Sequence, residues 1–111
     1  IRQVLSTQTA NQIKSMMKSV VTDGTGKNAQ VQGYSIGGKS GTSEPVVGDT
    51  NSGYTTSFAA ISPIENTQVA ILVTLYDPQG HSHQGGQTAA PVVSKILSEV
   101  LPQMGIEPDQ K

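Results

Sequence analysis

A lysine and two hydroxyl side chains lie close together in the segment Gly38-Lys39-Ser40-Gly41-Thr42. An ammonium group and hydroxyls are natural partners of a carboxylate, and a glycine lets a ligand lie flat against the backbone. In a strand, Lys39 and Gly41 point one way while Ser40 and Thr42 point the other, so one ligand needs twist or a bulge to use both sets. The segment is a candidate carboxylate-binding strip on an edge strand, whose free N–H groups can also pair with a peptide. A glycine-rich turn is the alternative.

The same residues complete a second pattern, because Gly33 to Ser40 match the phosphate-loop expression GxxxxGK[ST]. A phosphate loop must follow a buried strand and open a helix whose N-terminus faces the phosphate. Here Gly41, Pro45 and Gly48 follow, which are incompatible with a helix. A nucleotide site is therefore not predicted.

Two further patterns are expected on the surface. Ser15 and Lys18 have the SxxK spacing, in which a lysine one helical turn away activates a nucleophilic serine, but both fall off the apolar face of their helix. His81 and His83 follow Asp77 closely, yet nothing in the sequence fixes a third metal ligand. We predict no metal site and no cofactor.

Hydrophobic spacing predicts two helices around these residues. Apolar residues three and four apart predict helices at 7–22 and 88–101. Ser6 and Thr88 are the expected N-caps, and Asp23-Gly24 is expected to end the first helix, where Gly24 is able to take a left-handed conformation.

The segments between the helices predict a sheet. Residues 54–62 have strand composition, and 67–76 are almost continuously apolar, which is typical of a strand buried on both faces. With 34–44 as a third, glycine-rich strand, the chain is expected to be an α+β fold, an antiparallel sheet of about three strands with both helices on one face.

Length and composition narrow the possible functions. The 111 residues carry a net charge of −1, with 14% charged residues and no cysteine. A chain of this length forms one domain. Without a basic surplus, nucleic acid is not an expected partner, and without cysteine, disulfides and thiolate chemistry are excluded.

Several blocks together resemble the penicillin-binding transpeptidases. Lys39-Ser40-Gly41-Thr42 resembles the K-[ST]-G-T box of that family, and neighbouring blocks follow the family's order and spacing over about residues 5–105. These blocks are Val20 to Gly26, Gly33-Tyr34 with Gly37-Gly38, Ser57-Phe58-Ala59 with Ile61-Ser62-Pro63, and Gly85-Gly86 with Ala89-Ala90-Pro91-Val92. The chain is similar to the C-terminal part of the transpeptidase domain of a class B penicillin-binding protein, in particular of the sporulation type. Residues 1–105 would be that segment and 106–111 a tail or linker.

The resemblance implies a D,D-transpeptidase that cross-links peptidoglycan stem peptides through a serine acyl-enzyme and binds β-lactams. Lys39 would attract the substrate carboxylate and add positive potential at the serine, and the hydroxyls of Ser40 and Thr42 would hydrogen-bond that carboxylate beside Gly41. The backbone N–H of Thr42 would be an oxyanion-hole donor, which is worth roughly 3 kcal/mol of transition-state stabilisation. The resemblance also implies a location on the extracytoplasmic face of the cell membrane, with a single N-terminal anchor.

The chain departs from the family's pattern at the nucleophile. The family's serine lies far upstream of Lys39, so Ser15 does not correspond to it, and no S-x-N sequence occurs. We expect the segment alone to be inactive, to require the upstream part of its own transpeptidase domain, and to self-associate through exposed apolar surface. The alternatives are a non-catalytic scaffolding module derived from a transpeptidase and a fragment of a serine β-lactamase or D,D-carboxypeptidase.

Overall fold

A meander of three antiparallel strands forms the centre of the computed structural model, which describes residues 1–50, 53–80 and 82–110. The elements follow in the order α1 (Thr7–Asp23), a 3₁₀ turn (Lys27–Ala29), β1 (Gly37–Ser43), β2 (Thr55–Ser62), β3 (Val69–Tyr76) and α2 (Gly85–Gln103). The predicted α+β class, with two helices and three antiparallel strands, is confirmed.

The sheet has β2 in the middle and β1 and β3 at its edges. Pairing runs without a bulge from Gly37 opposite Ile61 to Ser43 opposite Thr55, and β3 pairs with β2 in the same uninterrupted way. The strand predicted over 34–44 begins only at Gly37, because Tyr34 pairs instead with Val31 in an isolated bridge.

One face of the sheet packs against α2 and forms the core. The inward residues of β2 are at most 1% exposed, and they are Thr56, Phe58, Ala60 and Ser62. From α2, Val93, Leu97 and Leu101 meet this face and are equally buried. Their spacing of four residues forms one stripe on the helix, which fits against the period-two face of the strand.

The first helix begins as predicted and ends differently. The Oγ of Ser6 accepts the Thr9 N–H at 3.1 Å, which is an N-cap bond. Gly24 is extended, with φ of −109°, rather than left-handed, and its N–H bonds to the Val20 carbonyl. The helix therefore ends on a backbone bond without the left-handed turn.

The two helices lie on opposite sides of β1. A Cβ added to Gly38 would point at Phe58 in the core, whereas a Cβ added to its neighbour Gly37 would point at Met17 of α1. The prediction that both helices lie on one face is therefore wrong. Hydrophobic periodicity identifies the apolar face of a helix, but it does not say which side of a sheet that face will cover.

The second helix begins at Gly85, three residues before its predicted start, with Gln84 as the N-cap residue. Thr88 is not the cap, because its hydroxyl donates to the Gln84 carbonyl at 2.8 Å from within the first turn. A Cβ on Gly85 would lie 2.6 Å from the carbonyl oxygen of Gly41, so only glycine allows the helix to start against β1. Neither helix in the described part of the chain is long and apolar enough to cross a membrane.

The third strand is not buried on both faces as predicted. On one side of the strand, partly buried residues pack against the core, and they are Val69, Ile71, Val73 and Leu75. On the other side, Leu72 and Tyr76 are 67% and 79% exposed. Ala59 and Thr55 of β2 lie opposite these two residues. The near-continuous apolar run of β3 thus produces an exposed apolar surface, here called the outer sheet face, centred on Ala59, Leu72 and Tyr76.

Residues 106–110, here called the C-terminal strap, fold back onto the loop that precedes β1. The Tyr34 hydroxyl donates to the Ile106 carbonyl at 2.8 Å, and the Gln110 N–H donates to the Gly33 carbonyl at 2.9 Å. The part of the chain expected to be a tail or linker, 106–111, is thus in contact with the loop before β1 over its first five residues. Lys111 lies outside the described residues.

Candidate functional site

The predicted carboxylate-binding strip lies on an edge strand. Lys39 to Thr42 pair with β2 on one side only, since β1 has no neighbour on its other side within the described sheet. Because the register contains no bulge, the side chains alternate, with Ser40 and Thr42 on the α2 side and Lys39 on the outer side. The bulge considered from the sequence is absent, so one ligand can meet both sets only by lying along the open edge of β1, with the hydroxyls on one side and the ammonium on the other.

The hydroxyl side of β1 is rich in hydrogen-bonding groups. The Oγ of Ser40 lies 3.4 Å from the Oγ1 of Thr25, in the loop after α1. The Oγ1 of Thr42 accepts the backbone N–H of Gly85 at 3.2 Å. Because Thr42 is the acceptor in that bond, its own hydroxyl proton can be donated to a ligand.

The N-terminus of α2 faces the same hydroxyls. Thr25, Ser40, Thr42 and Gly85 line one open depression, and the N-cap residue Gln84 makes no side-chain cap bond there. The start of a helix carries a partial positive charge. In α2 the Gly85 N–H is already bonded to Thr42, and those of Gln87 and Thr88 to the Gln84 carbonyl. The hydroxyls of β1 and this helix start thus combine to favour an anion on one side of the strand.

Lys39 supplies the formal positive charge on the other side. Its side chain is exposed, and its Nζ donates to the Ser40 carbonyl at 2.7 Å. The ammonium is held by a backbone carbonyl of its own strand and remains accessible to solvent. It can therefore turn to a carboxylate at the strand edge, where a charge-assisted bond is stronger than the one to a neutral carbonyl.

The histidine pattern gives no metal site in the described residues. Tyr54 and His83 stack with ring centroids 4.2 Å apart and an interplanar angle of 13°, at the border of the depression. His81 lies outside the described residues. No group of three His, Cys, Asp or Glu side chains in the described ranges is placed to hold a metal ion.

The two rival motifs have no matching geometry. Lys39 and Ser40 lie in the middle of β1, which continues to Ser43, so they do not open the helix that a phosphate loop requires. Ser15 and Lys18 are both exposed on α1, as expected for a surface pair.

Two neighbours of the strip were not predicted as site residues. Thr25 and Gly85 lie in blocks that were noted only for their resemblance to the family, yet their atoms contact Ser40 and Thr42. The paired glycine at 85–86 could have pointed to Gly85, since close backbone approach is a common reason for glycine in such a position. Nothing in the sequence singles out Thr25.

Comparisons with known proteins match almost the whole chain. Residues 2–98 match the family described as penicillin binding protein transpeptidase domain. The chain is 37% identical to stage V sporulation protein D of Bacillus subtilis and 37% identical to the peptidoglycan D,D-transpeptidase FtsI homolog of Chlorokybus atmophyticus, covering 96% and 90% of this chain. It spans only 17% and 15% of those two relatives. Among solved structures, the transpeptidase domain of Burkholderia pseudomallei penicillin-binding protein 3 is 35% identical, with a TM-score of 0.88 over 99% of this chain and 34% of that one.

Proposed function

This chain belongs to the penicillin-binding protein transpeptidase domain family, and from that premise we propose that it supplies the substrate-binding edge of a peptidoglycan D,D-transpeptidase. The observation that carries the proposal is the edge strand β1, where the Lys39 ammonium and the hydroxyls of Ser40 and Thr42 flank one open backbone edge. The substrate class follows from the relatives, two of which bear the names of a peptidoglycan D,D-transpeptidase homolog and a sporulation protein.

Each residue of the strip has a distinct part in the proposed reaction. Lys39 attracts the terminal carboxylate of the donor peptide and raises the positive potential at the reacting serine. Ser40 and Thr42 donate hydroxyl hydrogen bonds to that carboxylate, and Gly41 keeps the strand edge clear for the ligand. The backbone N–H of Thr42 stabilises the oxyanion, a contribution of roughly 3 kcal/mol.

The nucleophile is proposed to lie outside this segment. A serine attacks the carbonyl of the donor, the leaving amine departs with a proton, and the amine of a second stem peptide then takes the acyl group from the serine. A β-lactam follows the same first step and stays attached. The chemistry uses no cofactor, and the segment by itself is expected to be inactive, because its own SxxK pair, Ser15 and Lys18, is exposed on α1.

The outer sheet face is the proposed contact with the upstream part of the same transpeptidase domain. Leu72 and Tyr76 are exposed there although β3 has the composition of a buried strand. When the upstream part is absent, this face is proposed to drive self-association of the segment. The proposed location is the extracytoplasmic face of the cell membrane, where peptidoglycan is cross-linked.

The test uses the full-length protein that contains this segment, treated with a fluorescent penicillin and then digested, so that mass spectrometry identifies the labelled residue. Lys39→Ala is compared with Lys95→Ala, which removes the same charge from an exposed position of α2. A charge-assisted hydrogen bond contributes about 1.5–3 kcal/mol, so Lys39→Ala is expected to slow labelling about tenfold or more.

Three outcomes separate the possibilities. A label on a serine upstream of Ile1, slowed by Lys39→Ala and unchanged by Lys95→Ala, supports the proposal. A label on Ser15 contradicts it, because the segment would then contain its own nucleophile. Absence of any label favours a scaffolding module.

A further inference from the structure

Ser35, two residues before β1, is bound by a carboxylate from the far end of the chain. Its backbone N–H donates to Oδ1 of Asp109 at 2.7 Å, and its hydroxyl donates to Oδ2 of the same carboxylate. One residue thus places two donors on the two oxygens of one charged group, which fixes position as well as distance. Ser35 itself is only 5% exposed.

The same serine also binds the end of β2 and the first residues of the β2–β3 connection. Its Oγ accepts the N–H of Ile64 at 2.8 Å, and its carbonyl accepts the hydroxyl of Ser62 at 2.9 Å. The N–H, the hydroxyl and the carbonyl of Ser35 are therefore all bonded. A fully bonded polar residue in a buried position has little freedom to shift.

The C-terminal strap is held on both sides of Asp109. The Tyr34 hydroxyl binds the Ile106 carbonyl, and the Gln110 N–H binds the Gly33 carbonyl. These bonds involve residues 33 and 34 of the loop, and the carboxylate of Asp109 binds the next residue, Ser35. The strap therefore binds three consecutive residues of the loop.

A short and tightly packed path connects Ser35 to the strip. Ile36, Gly37 and Gly38 are all buried, and Gly38 has no room for a side chain beside Phe58. In an extended strand the four-residue step from Ser35 to Lys39 spans roughly 13 Å. Since β1 has a strand partner on one side only, its position depends on how its first residues are held.

We propose that the C-terminal strap is a positioning element for the substrate-binding strand, and that Asp109 is the positioning residue that fixes Ser35 and so the start of β1. Its link to the reaction rests on the proposed function. The strap lies just beyond residues 2–98, the part of the chain that matches the family model.

The experiment has two readouts on the full-length protein, for Asp109→Ala, Asp109→Asn and the control Glu107→Gln, an exposed acid on the same strap. The first is the rate constant and the final amplitude of labelling by a fluorescent penicillin. Misplacing a reacting group by about 1 Å can slow a reaction a hundredfold, and we expect about a tenfold slower rate for Asp109→Ala at full amplitude. Asn keeps one acceptor oxygen, so its rate is expected to lie between those of the wild type and Ala.

The second readout is amide hydrogen exchange of peptides that cover residues 35–43. Asp109→Ala is expected to speed exchange at the start of β1, and Glu107→Gln is expected to leave it unchanged. This readout does not depend on penicillin, so it still decides the positioning role if the wild type is not labelled and the proposed function fails.

The outcomes are distinct. Slower labelling at full amplitude with faster exchange at β1 supports the proposal. Lower amplitude at an unchanged rate indicates loss of folded protein only and overturns it, as does unchanged exchange at residues 35–43.

Discussion

Gly38 shows how closely the strip is built against the core. A Cβ at this position would lie 2.7 Å from Cζ of Phe58 and 2.8 Å from the Ala59 carbonyl oxygen. Overpacking of this kind costs about 1–3 kcal/mol, so Gly38→Ala is expected to lower the free energy of unfolding by that amount. Denaturant unfolding of the 111-residue chain measures it.

A matched control lies on the same strand. A Cβ on Gly41 would meet only the Oγ of Ser57, at 2.7 Å, and that side chain can rotate away. Gly41→Ala is therefore expected to be less destabilising than Gly38→Ala. Equal losses would mean that both substitutions act through strand propensity and that the contact with Phe58 is unimportant.

Individual residues of the site could be predicted to different degrees. The alternation of Lys39 against Ser40 and Thr42 was predictable, since it follows from strand geometry alone. The contacts of Thr25 and Gly85 with those hydroxyls were not, because each joins residues distant in sequence through the placement of whole elements.

Among the elements, α2 contributes most of the core surface opposite β2. Leu97 is 1% exposed, while its neighbour Ile96 is 37% exposed. Removing a buried leucine side chain costs about 2–5 kcal/mol, so Leu97→Ala is expected to destabilise the chain by that amount. Ile96→Ala is the control, and a loss as large as that of Leu97→Ala would mean that the helix packs through a different stripe.

Element boundaries were predictable where hydrophobic spacing is strong. The ends of α1, β2 and β3 fall within two residues of their predicted positions. The starts of β1 and α2 were wrong by three residues each, because both are glycine-rich and glycine has no hydrophobic period to read. The start of α2 depends on its close approach to Gly41, and the start of β1 follows the bridge between Val31 and Tyr34. No local sequence pattern shows either contact.

At the scale of the molecule, the outer sheet face is the proposed surface of self-association for the isolated chain. Leu72→Lys places a charge at the centre of that face, and Gln103→Lys places the same charge at an exposed position of α2. Since burial of one leucine side chain contributes about 1.5–3 kcal/mol, Leu72→Lys is expected to raise the dissociation constant for self-association about tenfold or more. Sedimentation velocity at several concentrations measures it.

The control determines how the result is interpreted. Gln103→Lys is expected to leave self-association unchanged. If both variants reduce it equally, net charge and not the outer sheet face governs association. If the wild type is monomeric at all concentrations, the proposed self-association is wrong.

Long-range contacts were the least predictable part of the molecule. The run of apolar residues in β3 predicts a strand buried on both faces. In this chain one face packs against the core and the outer sheet face is exposed, because no described element covers it. Ile106 is the one aliphatic residue in 106–110, so the segment has no hydrophobic periodicity and no local pattern connects Asp109 to Ser35 across 74 positions.

That separation also sets an order of events during synthesis. A chain leaves the ribosome from its N-terminus, and folding can begin before synthesis ends. The three strands and α2 are translated before Asp109, so Ser35 must wait for a partner that is translated 74 residues later. A chain cut between α2 and Asp109 would keep all three described strands and would lack the carboxylate that binds Ser35 at the start of β1.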